Sequence, residues 1–193
     1  MILDDLNILY LLTSTRYINN MNKLVPQNHP ALHSIAEEVT AEEFADGTVA
    51  KILKGMRTAI KTYNVDGYAA VAIAAPQVGV AKRIFLVEDQ NKERDGELPT
   101  VVAINPHIVK TSKKTHEVGE GCLSVPNTYG VVKRHKNVVM RAIDENGEPF
   151  ERGAGGLLAQ IFQHECDHLD GTLFIDRAEK CWHKDDKPLA EEL

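Results

Sequence analysis

Apolar residues along the chain fall into two helical patterns with a β-rich stretch between them. Val49, Ile52, Leu53, Met56 and Ile60 recur at the spacing that places side chains on one face of an α-helix. Thr40-Ala41-Glu42-Glu43 ahead of them resembles a capping box, in which a hydroxyl and a carboxylate satisfy free N–H groups at a helix start. Together they predict a long N-terminal amphipathic helix that ends before Gly67. Runs rich in β-formers come next, at Arg83 to Glu88, Thr100 to Thr111, Gly130 to Val132 and Asn137 to Asp144, the last closed by the turn signal Glu145-Asn146-Gly147. A second helix is predicted from Leu157 to Leu169. At roughly 100° per residue, Leu158, Phe162, Cys166 and Leu169 form an apolar stripe that suits a core. Leu157, Ile161, His164 and His168 form a second stripe beside it, with Glu165 at its edge and Gln163 and Asp167 on the remaining side. Asp170-Gly171 supplies the stop, glycine accepting the left-handed backbone there. Strands gathered between two helices, without β-α-β alternation, predict a single α+β domain whose antiparallel sheets pack around the C-terminal helix.

Composition narrows the class. A chain of 193 residues, 43% hydrophobic, can build one real core. The net charge of -6 offers no basic footprint for nucleic acid. Cys122, Cys166 and Cys181 are odd in number and lack a framework spacing, which favours a reducing compartment. The apolar run Ile8 to Leu12 is too short to span a bilayer, and Asp4 and Asp5 before it are unlike the basic start of an export signal. The opening residues differ in character from the rest of the chain, and Met21 is a candidate alternative start.

The chemistry sits in the second helix. His164-Glu165-Cys166-Asp167-His168 is an H-E-x-x-H motif: with about 3.6 residues per turn, the two imidazoles project side by side and can grip one metal ion. Glu165 is turned partly aside, where it reaches a water on the metal without becoming a ligand. A catalytic zinc-type site needs three protein ligands and one open position. The downstream candidate comes from the longer protease motif, in which a third histidine follows the glycine. Gly171 fits that motif, but Phe174 occupies the ligand position and cannot bind metal. The upstream candidate is Cys122 in Glu120-Gly121-Cys122-Leu123-Ser124, at the head of an expected loop, where a thiolate would complete a Cys-His-His set.

A third segment, Ala74-Ala75-Pro76-Gln77-Val78-Gly79, places an amide donor after a proline. Together the three segments resemble peptide deformylase, as do Pro30-x-Leu32, Ile104-Asn105-Pro106, Val125-Pro126 and Gln163 around them. The resemblance covers Lys23 to Arg177. It leaves residues 1–22 as an N-terminal extension of unknown role and 178–193 as a short charged C-terminal tail.

The resemblance implies a metal-dependent hydrolase that removes the formyl group from the N-terminal formyl-methionine of nascent polypeptides and releases formate. It implies Cys122, His164 and His168 as ligands of one divalent ion, with ferrous iron as the working metal and zinc or nickel as substitutes in a purified sample. It further implies Glu165 as the acid/base, and the side-chain amide of Gln77 and the backbone N–H of Leu123 as donors to the oxyanion. Leu157 and Ile161 lie on the stripe that can line a methionine pocket, and Val71, Ala72, Val118 and Gly121 are implied beside them. Where the family has glycines in its first motif, this chain has Ala70 and Ala72, and the added methyls are expected to alter peptide affinity. Formylated peptides are the implied partners, with transient ribosome association, no direct nucleic-acid or membrane binding, and a cytoplasmic location or an organelle. Two other readings compete. A zinc endopeptidase lacks its third ligand at Phe174, and a metal-stabilised binding protein has no use for Glu165. The remaining histidines and Cys181-Trp182-His183 are expected at the surface or in loops.

Overall fold

A computed structural model describes residues 21–65, 68–90 and 98–186. The expected extension, apart from Met21 and Asn22, therefore lies outside the described residues, as does the end of the tail.

The capping box at Thr40 forms as expected: Thr40 Oγ1 accepts from the Glu43 N–H, and the Glu43 carboxylate accepts from the Thr40 N–H. It does not start the long helix, however. It caps a separate five-residue helix, α1 (Ala41–Ala45). Gly47, at φ +79°, then breaks the chain, and α2 (Thr48–Thr62) begins as a new helix. The expected stripe Val49, Ile52, Leu53, Met56 and Ile60 is buried along α2.

Two short paired strands come after α2, β1 (Asn64–Val65) and β2 (Tyr68–Ala69). The main sheet has five antiparallel strands in the order β3 (Ala72–Ala74), β4 (Ile84–Val87), β5 (Val101–Thr111), β8 (Asn137–Ile143) and β9 (Pro149–Gly155). A three-stranded sheet runs β10 (Lys180–His183), β7 (Val125–His135) and β6 (Thr115–Cys122). Three of the expected runs coincide with β4, β5 and β8. Gly130 to Val132 is the middle of the much longer β7, while β6 and β9 had no counterpart in the pattern. Part of the expected tail becomes β10 on the edge of the smaller sheet, leaving Cys181 exposed.

The five-stranded sheet is covered on both faces, which is why β4 is buried along its whole length. One face, with Ile73, Ile84, Leu86, Val102 and Ile104, packs on α2. The other, with Phe85, Val101, Ala103, Val138 and Met140, receives Ala159, Phe162, Cys166 and Leu169 of α3 (Gly156–Leu169). α3 ends as expected, with Gly171 at φ +72° and so close to the Ser34 backbone that a Cβ would clash with it. The smaller sheet has its own cluster, in which Val125 and Val132 pack with Leu32, Leu173 and Phe174. Phe174 opens α4 (Phe174–Arg177). α3 thus lies in the seam between the two sheets, anchored on one and facing the end of β6 on the other.

Candidate metal centre

His164 and His168 stand one helical turn apart on α3, with ring centroids separated by 5.0 Å and planes near perpendicular at 82°. Cys122 ends β6 in a tight connection, paired with Val125 just after a register shift at Gly121. That turn brings its Sγ within 3.1 Å of His168 Nε2. One donor atom from each of Cys122, His164 and His168 lies within 4.8 Å of the others. One sulfur and two nitrogens in this arrangement suit a borderline-soft divalent ion.

Surrounding groups orient the donors. His164 Nδ1 lies 2.9 Å from Glu120 Oε2; a carboxylate only accepts, so Nδ1 carries the proton and Nε2 is left for a metal. Glu120 is in turn held by Arg134, whose Nε and Nη2 donate to its two oxygens at 2.7 and 2.9 Å. Burial opposes charge on Glu120, but the bonds from Arg134 and His164 outweigh it and hold the carboxyl down to about 2. Burial likewise opposes a Cys122 thiolate, and the neighbouring His168 and His164 overcome it, drawing the thiol well below its ordinary value. A cation among these donors would favour the same thiolate, so the residues fit the implied metal. Two buried atoms of the site are without a hydrogen-bond partner among the described residues, His168 Nδ1 and Glu165 Oε2. Glu165 is 4% exposed, and burial pushes its carboxyl up to about 7.

Gln77 sits in a 3₁₀ turn, Ala75–Val78, that has Pro76 as its second residue and stops at Gly79 with φ +83°. Its Oε1 accepts from the Ala74 N–H at 2.8 Å, which fixes the amide so that Nε2 donates to Ser124 Oγ at 3.2 Å and reaches Cys122 Sγ at 3.5 Å. A cavity of about 260 Å³ opens beside these groups, with Gln77, Cys122, Leu123, His164 and Glu165 all in its wall. Of the residues expected around a substrate, Val71, Ala72, Gly121, Leu157 and Ile161 line it. Val118 lies outside, four residues up β6 from Cys122, about 13 Å at the rise of a strand. His168, 1% exposed, closes the site from behind.

A sequence profile described as polypeptide deformylase matches residues 21–184. The chain belongs to the polypeptide deformylase family. A peptide deformylase of Fusobacterium nucleatum is 42% identical over 156 residues, covering 80% of this chain and 82% of the relative. The chloroplastic peptide deformylase 1A of Solanum lycopersicum is 36% identical, over 81% of this chain and 59% of its own. Among solved structures, the Met-Ala-Ser-bound class I type b peptide deformylase of Acinetobacter baumannii superposes with a TM-score of 0.72 at 34% identity, covering 80% of this chain and 96% of that one.

Within this deformylase, Ala70 and Ala72 are 5% and 7% exposed, and each is packed into one of the two large cores as well as bordering the cavity. Phe174 is 1% exposed and its ring stacks on His164 at 6.4 Å, so it buttresses the histidine from outside. Sequence reasoning passed over Arg134 and Asp167 as site components, and over the role of Glu120. Arg134 is the last residue but one of β7, 4% exposed. A charge buried that deeply requires partners, but the sequence alone does not show its depth. Tyr129 was missed too: its ring lies 3.1 Å from where a Cβ on Gly121 would stand, so glycine there makes room for an aromatic cavity wall.

Proposed function

We propose that Cys122, His164 and His168 hold one divalent metal ion and that Glu165 is the acid/base of a hydrolysis that removes the N-formyl group from formyl-methionine at the start of nascent polypeptides. The observation that carries this is one thiolate and two imidazoles converging beside the buried Glu165 carboxylate, whose Oε2 has no partner among the described residues, in the wall of a cavity. When bound, the ion supplies Lewis acidity, lowering the pKa of a water and countering charge on the formyl oxygen. Glu165 takes the proton from the attacking water and hands it to the departing peptide amine. Its raised pKa suits both roles near neutral pH. As the formyl oxygen gains charge, it takes N–H donors from the Gln77 amide and the Leu123 backbone. Gln77 Nε2, which at the cavity wall donates to Ser124 Oγ and Cys122 Sγ, is the donor that turns to that oxygen. Formate leaves with the free amine as the other product.

Val71, Leu157 and Ile161 form the apolar slot for the methionine side chain, with Ala72 and Gly121 beside the peptide backbone. Thiolate and imidazole ligands accept ferrous iron, zinc and nickel alike; the family resemblance is what points to ferrous iron as the working ion, with zinc or nickel as replacements. Three free cysteines support a reducing compartment such as the cytoplasm, and the chloroplastic relative makes an organelle the alternative. No helix among the described residues is long and apolar enough to cross a membrane. Nascent chains are met at the ribosome, through their formylated ends.

Incubation with formyl-Met-Ala-Ser, with metal quantified in the same sample, tests the proposal. Formate release is expected from the wild type, and a loss of about 10²–10⁴-fold in Glu165→Ala with its metal retained. Equal turnover by both proteins would sink it.

A further inference from the structure

α4 is only four residues long, yet both of its ends touch the metal helix. At one end the Phe174 ring lies nearly parallel to His164, at an interplanar angle of 24°. At the other, Arg177 Nε donates to Asp167 Oδ2 at 2.7 Å. Asp167 is the residue just before His168 and is 7% exposed. The same Oδ2 accepts from Arg134 Nη1 at 2.6 Å. Arg134 grips Glu120, and Glu120 accepts from His164 Nδ1. An unbroken line of charge-assisted bonds therefore runs from a guanidinium at the surface, 48% exposed, to a histidine of the metal cluster.

Charge balance gives this line a consequence. Arg134 stands between two buried carboxylates, and one cation cannot neutralise both. Arg177 supplies the second positive charge at Asp167, leaving Arg134 to orient Glu120. Without Arg177, Arg134 is the one cation left on Asp167 among the described residues and is drawn away from Glu120, which loosens the bond that aims His164.

We propose that Arg177 is a positioning residue for the metal centre, acting through Asp167, Arg134 and Glu120 to lengthen the residence time of the bound ion. The inference rests on the ligand assignment above. Groups that orient metal ligands are worth about 10–100-fold in affinity when they touch the ligand directly, and Arg177 is several links removed.

The test is the rate of zinc transfer from the loaded full-length protein to a coloured chelator. Arg177→Gln is expected to release zinc about three- to tenfold faster than wild type. Arg177→Lys, which keeps the charge but loses the planar fork, is expected between them. A half-exposed ion pair is screened by salt, so raising ionic strength is expected to speed release from the wild type and leave Arg177→Gln nearly unchanged. Wild-type release rates and salt dependence in Arg177→Gln would overturn the proposal, even if that variant melts earlier without metal. Should Arg177→Gln fail to fold, wild-type rates and salt dependence in Arg177→Lys would overturn it equally. Absence of zinc binding by the wild type would overturn both this inference and the ligand assignment.

Discussion

Both oxygens of Glu120 are committed, one to Arg134 and the other to Arg134 and His164 together. Glu120→Gln keeps the shape but loses the charge, and zinc affinity measured by chelator competition is expected to fall about 10–100-fold; unchanged affinity would remove the orienting role. The same carboxylate bears on the metal-free protein. Its pKa is depressed from an ordinary 4.5 to about 2 on folding, so its contribution to stability is complete above 4.5 and disappears as the pH falls toward 2. The difference in unfolding free energy between metal-free wild type and Glu120→Gln should narrow across that window, and a difference that widens on acidification would contradict it. Ala72→Gly is expected to cost about 0.5–1 kcal/mol by adding a glycine to a strand. The methyl of Ala72 is buried in the core under α3, so the KM for formyl-Met-Ala-Ser is expected to change less than stability does. A large fall in KM without loss of stability would show that the methyl obstructs the peptide. The histidines, Cys122 and Gln77 could be read from short motifs because their spacing is local. Arg134 could not, since its partner Glu120 lies 14 residues away across a hairpin whose register no motif encodes.

At the scale of elements, regular patterns were legible and glycine-rich strands were not. α2, α3, β4, β5 and β8 carry apolar residues at the period of their own structure. β9, in contrast, reads Pro-Phe-Glu-Arg-Gly-Ala-Gly and alternates half-buried with exposed positions, so it has little hydrophobic signal. β6 contains Gly119, Gly121 and buried Glu120, and its only fully buried side chain is charged. The pattern of such a strand is set by the site it serves. The capping box misled for a different reason: a cap marks where a helix starts and carries nothing about its length. Thr40→Ala is therefore expected to cost about 0.5–1 kcal/mol in denaturant unfolding, because α1 alone depends on it and Gly47 resets the backbone before α2. A loss of about 2–5 kcal/mol, typical of emptying a core position such as Leu53, would show instead that α1 and α2 unfold as one helix.

Across the whole molecule, the donors come from both sides of the seam, Cys122 from the three-stranded sheet and the histidines from the helix that packs on the five-stranded one. An ion bound there would hold the two sheets together, so metal is expected to raise the unfolding temperature, and removal by a chelator to lower it. The three thiols give an order to the same events. With metal bound, iodoacetamide is expected to label exposed Cys181 alone, and chelation to add Cys122. Cys166, 7% exposed and pushed up to about 12 by burial, should react only when the chain unfolds; its labelling together with Cys122 would show that α3 leaves the core when the metal does. The route of the chain through the seam also sets a timetable. Cys122 is synthesised first, then waits through β7, β8 and β9 for the imidazoles of α3, after which α4, β10 and a 3₁₀ turn at Lys184–Asp186 follow among the described residues. A growing chain thus carries the Cys122 thiol through three strands before either imidazole exists. With the proposed ligands, metal capture waits for α3, so an enzyme that serves newborn proteins completes its own centre only after three further strands have been made.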